Sequence, residues 1–253
     1  MKKHIFSSLQ IENGPHMVSK EDYRDGNQDL QVLLRTVVGT DYQSGVLTGP
    51  ENPLNITLKD LLSALIGAAV HLWVFSRTFH SIDMTNTPLL QKYREAIATS
   101  CTDQSLFNLD VAVHQKLIKE RDFEDLTIPR LTARHTDRFL AAVKILDSET
   151  QANEFRYSIE HIFKLAIRIR TSFLVAAETY VSFWPCRGQK INCNDMESPL
   201  MGNILENNVV RLPISPGLHV YAREKGMVEY NYPDNDKWDN ATLKDTFQAT
   251  ILV

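Results

Sequence analysis

Eight histidines and three cysteines are the side chains on which metal or nucleophilic chemistry in this chain would rest. A metal site needs several ligands converging on one ion, so spacing decides more than number. His71 and His80 stand nine residues apart, about two and a half turns of one helix, which sends their rings to opposite sides. His114, His135 and His161 fall on three different expected helices, with no H-E-x-x-H or E-x-x-H pair beside them. No metal ion is expected. Cys186 and Cys193 bracket the loop C-R-G-Q-K-I-N-C, in which Arg187 and Lys190 would favour a thiolate. That spacing matches neither a zinc knuckle nor a redox pair, and Cys101 reads as a small core residue. The run Asp234-Asn-Asp236-Lys-Trp-Asp239 resembles an acidic calcium loop but carries Asp239 where glycine is required and Trp238 where an oxygen ligand belongs, so a solvated turn is expected. Glycine-rich phosphate loops and the G-x-S-x-G elbow are missing from the sequence. From the residues alone, then, we expect no catalytic residue, no cofactor and no metal.

One charged constellation remains. Lys164, Arg168 and Arg170, with Arg156 nearby, ride on the longest expected helix, and Lys164 and Arg168 lie one turn apart on the same side. This basic face is the candidate partner-binding site, suited to an acidic partner or to phosphates. The plainer reading pairs Glu160 with Lys164 on a solvated helix surface.

Glycine and proline show which elements position these residues. Between Leu54 and Trp184 there is one glycine, Gly67, and only Pro88 and Pro129, so this block reads as a helical array. Residues 1–53 hold five of the ten glycines, and residues 185–253 hold four more together with five prolines, which marks both flanks as loop- or strand-rich. Thr57 and Asp60 open a helix expected to run to about His80. Its centre, Leu61 to Phe75, is apolar on nearly every face; at 15 residues it falls short of the ~20 a bilayer span needs, so it is read as a buried central helix. Further helices are expected over about 88–99, from Asp103 through Leu117, from Pro129 through Leu146, and over Phe155 to Leu174, the last with the longest apolar stripe. Asp29 to Val38 reads as a short helix. Thr179–Trp184, Asn208–Leu212, Leu218–Ala222 and Met227–Tyr230 read as strands between turns, and Ile5–Ile11 as a strand at the front.

The 27 Lys+Arg against 31 Asp+Glu give a net charge of −4, without the basic excess of a nucleic-acid-binding domain. Lys2 and Lys3 precede an apolar stretch that Ser7 and Ser8 break at once, which does not make a secretory leader. The acceptor patterns at Asn55 and Asn240 carry little weight without such a route. An odd cysteine count fits reduced thiols in an intracellular, cytoplasmic or nuclear setting.

The succession AVHLWVF, LLQKYREAI, NLDVAVHQKLI and IFKLAIRIRTSFL running into YVSFWP resembles a set of helical proteins from filamentous fungi that have no assigned activity, over about residues 55–200. Those proteins carry a Tyr-Pro-Pro-Gly type turn where this chain has Trp184-Pro185-Cys186-Arg187-Gly188. The resemblance implies a fungal intracellular protein and transfers no functional residue.

The expected architecture is α+β and predominantly α: one domain over 1–253, with a loop-rich segment 1–53, a helical core 54–178 around the buried central helix, and a small C-terminal antiparallel sheet within 179–253. The expected function is that of a non-enzymatic, intracellular protein-interaction or regulatory module. Its partner would be another protein, bound through an apolar groove between helices or through the Lys164/Arg168 surface, not nucleic acid or membrane. The alternative is an enzyme or small-molecule binder with a pocket between helices lined by His71, Trp73 and His114.

Overall fold

A computed structural model of the chain describes residues 28–39, 58–75, 92, 96, 99–100, 103–143, 149–176, 178–198, 209–222 and 243–252. Within them the fold is α+β and mostly α. Helix α1 (Gln28–Val38) buries Leu33, Leu34, Val37 and Val38 along one side. It ends at Gly39, whose φ of 85° is left-handed and whose N–H donates to the Arg35 carbonyl at 3.0 Å, a glycine-terminated helix end. Helix α2 (Leu58–Val70) is the expected central helix, with every residue from Leu62 to Val70 buried. The pattern is apolar all round because neighbours surround it.

At His71 the α-helical hydrogen bonding widens into a π turn, His71–Phe75. A second π turn, Phe123–Thr127, joins helix α3 (Asp103–Lys119) to helix α4 (Ile128–Val143). Each wide turn shifts the side chains after it around the axis, so the straight-helix geometry assumed for residues 57–80 stops at His71. Helix α5 (Glu149–Phe173) completes the helical block and runs antiparallel to α4: Phe139 meets Phe163, while Asp137 pairs with Arg156 and, further along, Glu124 with Arg168. The helix expected over 88–99 lies mostly outside the described residues, although Lys92, Ala96 and Thr99 are helical and exposed. Ile5–Ile11, Met227–Tyr230, His80, Cys101, both Asn acceptor sites and the Asp234–Asp239 run lie outside the described residues.

Among the described residues the strands form two three-stranded sheets. The first has the order β1 (Glu178–Phe183), β4 (Gly217–Ala222), β5 (Leu243–Phe247), all antiparallel. The second has the order β2 (Met196–Glu197), β6 (Ala249–Leu252), β3 (Leu212–Pro213), with β2 parallel to β6. Thus the expected single antiparallel sheet is two sheets, one of them mixed, and the ten residues 243–252 supply a strand to each.

One apolar core unites helices and strands: Leu65, Ile66, Trp73, Phe139, Ile159 and Phe163 pack in one cluster with Leu212 and Ile214. A smaller cluster of Ile191, Met196, Val210 and Ile251 lies under the second sheet. Trp184, just past β1, fastens the sheet to the helices by donating its Nε1–H to the Thr36 carbonyl at 3.1 Å. No helix among the described residues is long and apolar enough to cross a membrane.

Candidate functional site

The β1–β4 ribbon carries a histidine site on each face. Directly opposed residues of an antiparallel pair share a face. The register Tyr180↔Val220 and Ser182↔Leu218 therefore sets one face, and Val181↔His219 and Phe183↔Gly217 set the other. The first face meets the helices, where the Tyr180 ring stacks on Phe173 with centroids 4.1 Å apart. Ser182 Oγ lies 2.8 Å from Nδ1 of His71, at the start of the first π turn, and the Trp184 ring flanks the imidazole.

Burial lowers the His71 pKa from 6.5 to about 4, so the ring is neutral at physiological pH. A serine beside a neutral histidine is the geometry of an activated nucleophile. The lowered value argues against that use, since a base that weak holds a proton poorly near neutrality. His71 and Ser182 act as a half-buried hydrogen-bonded anchor between the π turn and β1.

The second face carries a longer chain of polar groups. Asn192 Nδ2–H donates to Asp195 Oδ2 at 2.6 Å, Asp195 Oδ1 lies 3.3 Å from Nε2 of His219, and His219 Nδ1 lies 3.4 Å from the Tyr221 hydroxyl. The imidazole is stacked on Phe183, centroids 4.2 Å apart and planes 26° from parallel. Each member sits on a fixed element. The Asn192 carbonyl accepts the N–H groups of Asp195 and Met196, the Asp195 carbonyl accepts the Ala249 N–H at 2.8 Å, and His219 and Tyr221 alternate along the central strand β4. His219 and Asp195 are each about a quarter exposed, at 23% and 25% of their side-chain surface. None of these four residues stood out in the sequence. The signal was the alternation His219-Val220-Tyr221 inside an expected strand, which puts both polar rings on one face.

The residues singled out from the sequence are distributed as follows. Lys164 is half-buried, Arg168 is exposed and paired with Glu124 of the second π turn, and Arg170 is buried on another side of α5. Arg156 takes Glu160 at 3.1 Å and Asp137 at 2.5 Å. His71 and Trp73 diverge from the π turn. Trp73 enters a filled aromatic stack with His135 and Phe163, capped by the Arg138 guanidinium 4.2 Å over its ring, while His71 turns to β1. His114 is on α3, which packs chiefly on the second π turn. Cys186 and Cys193 are exposed free thiols. No group of three His, Cys, Asp or Glu among the described residues is placed to hold a metal ion.

What the fold defines is the class: a predominantly helical α+β protein with two small sheets among the described residues. Set against family models, curated proteins and solved structures, the chain matches none of them.

Proposed function

We propose that this chain is an intracellular protein-interaction module that binds an acidic segment of another protein along the outward stripe of α5. The observation that carries the reading is Tyr157, which leaves 73% of its surface exposed on a helix whose opposite side is core. Tyr157, His161, Lys164 and Arg168 follow the i, i+4, i+7, i+11 rhythm of one helix face. Tyrosine and arginine are the residue types that dominate binding energy at protein interfaces, and the lysine and imidazole between them favour carboxylates. Arg170, buried elsewhere on the helix, has no part in this surface, and Arg168 shares its charge with Glu124.

The experiment compares capture from extract by the native chain, Tyr157→Ala and Lys164→Glu. Proteins retained by the native chain, released by salt and lost with either variant are the expected result. If both variants retain the same proteins as the native chain, or if nothing is retained, this reading fails.

A further inference from the structure

We propose that Tyr221, His219 and Asp195 form a nucleophilic site that accepts the acyl group of an activated carboxylic ester on the phenolic oxygen of Tyr221. The site lies on β4, away from the α5 stripe, and does not rest on the interaction reading.

Asp195 is held from behind by the Asn192 side-chain amide at 2.6 Å and presents its other oxygen to His219 Nε2 at 3.3 Å. An anionic acceptor at Nε2 selects the tautomer with its proton there, and that leaves the Nδ1 lone pair directed at the Tyr221 hydroxyl, 3.4 Å away. Phe183, stacked on the ring, limits its rotation. A nucleophile, a base in reach of it and a third group orienting the base make up the general pattern of covalent catalysis, and such contacts are often long before substrate arrives.

A second feature of the backbone points to the same place. The pairing of β4 with β5 changes register between Val220 and Tyr221, in the middle of the His219–Tyr221 pair. Irregularities of this kind re-aim a side chain and are frequent beside active sites. Here the shift sets Leu243 opposite Tyr221 in the register, and Leu243 is 49% exposed, so the strand beside Tyr221 presents an apolar residue to solvent on which an aryl or alkyl ester could rest.

The step balances without a cofactor. The phenolic oxygen of Tyr221 attacks the ester carbonyl carbon as its proton passes to His219 Nδ1, and Asp195 stabilises the resulting imidazolium. The carbon–oxygen bond to the leaving group then breaks, and Nδ1 returns the proton to that oxygen. Water, deprotonated by the same nitrogen, releases the acid and restores Tyr221. Tyr221 and His219 are the catalytic residues; Asp195 is a positioning residue.

The test is p-nitrophenyl acetate with the full chain, followed by release of p-nitrophenol and by mass spectrometry of the peptides. A burst of one equivalent per chain with acetyl on Tyr221 is expected. Tyr221→Phe, which removes only the hydroxyl, abolishes both. His219→Gln slows acetylation by at least about 100-fold, the scale of general-base assistance. Asp195→Asn lowers the rate while the amplitude stays near one equivalent. The native rate is slower in deuterium oxide, a sensitivity that His219→Gln loses and that a purely structural role would not produce. Thermal melts of the three variants show whether each is folded, and Tyr221→Phe alone suffices if the other two are not. No burst, or acetylation spread over lysines at a rate unchanged in Tyr221→Phe, overturns the proposal.

Discussion

Single side chains settle several questions here by what they lack or carry. The hydroxyls of Thr132 and Thr136, one turn apart on α4, are buried without a hydrogen-bond partner among the described residues, and Thr136 is completely enclosed. A buried polar group left unpaired costs roughly 1–3 kcal/mol. Thr136→Val keeps the shape and removes that cost, so it is expected to raise stability by about 1 kcal/mol, read as a higher urea midpoint with unchanged slope. A lower midpoint would mean that the hydroxyl is satisfied. His71 acts in the opposite sense. Its folded pKa, lowered to about 4, lies below the 6.5 of the unfolded chain, so the unfolded state binds the extra proton between those values. The stability that follows is complete above pH 6.5 and drains away as pH falls toward 4, amounting to at most about 2 kcal/mol lost by pH 5. His71→Gln should flatten that part of the pH–stability curve. A variant as acid-sensitive as the native chain would place the responsible group elsewhere.

At the scale of elements, hydrophobic rhythm made most of the helices legible. The stripe from Phe155 to Leu174 became α5 at Glu149–Phe173, and Asp29–Val38 became α1 with one residue added. Two strands with β-branched or aromatic alternation were equally clear, so Thr179–Trp184 became β1 with both ends shifted by one residue and Leu218–Ala222 became β4 with one residue added at its start. The π turns escaped because one additional residue per turn leaves composition and apolar spacing almost unchanged. Strand β5 escaped for a different reason: Lys244, Asp245 and Thr246 make it polar and largely exposed, and such a strand owes its existence to its pairing with β4. Gly67 is a related case. It is the lone glycine between Leu54 and Trp184, and the sequence could not say why. A Cβ at this position would stand 2.0 Å from the Ile214 carbonyl oxygen and 3.2 Å from the Trp184 ring. Alanine would gain about 1 kcal/mol of helix propensity and lose more to the backbone it displaces. Gly67→Ala is therefore expected to cost about 2 kcal/mol or more in urea unfolding and to loosen the Trp184–Thr36 contact. A neutral result would show that the α2–Ile214 approach can relax.

For the molecule as a whole, what matters is which parts open together, and the two apolar clusters differ in kind. The large one gathers side chains from α1, α2, α4, α5 and β3, so no helix in it can leave without exposing several others. The small one has only Ile191, Met196, Val210 and Ile251, under a sheet whose β2 and β3 are two residues each. The candidate site spans the two sheets. His219 and Tyr221 stand on β4, while Asp195 belongs to the turn leading into β2, held by Asn192 and by the Ala249 N–H. Such a join was invisible in sequence, since Asp195 and His219 are 24 residues apart and stand on different sheets, which residues 243–252 link by pairing with β4 through β5 and with β2 through β6. Local opening free energy follows the apolar contact that must be broken, so the amides of Met196 and Ala249 are expected to exchange through a smaller opening than those of Ile159 to Ile167 in α5. Ile251→Val, at a fully buried position of the small cluster, should lower protection of Met196 and Ala249 by about 1 kcal/mol and leave α5 unchanged. Hydrogen exchange at low urea separates the outcomes. If α5 loses protection equally, the second sheet and the helical block unfold as one unit, and Asp195 is as firmly placed as the core itself.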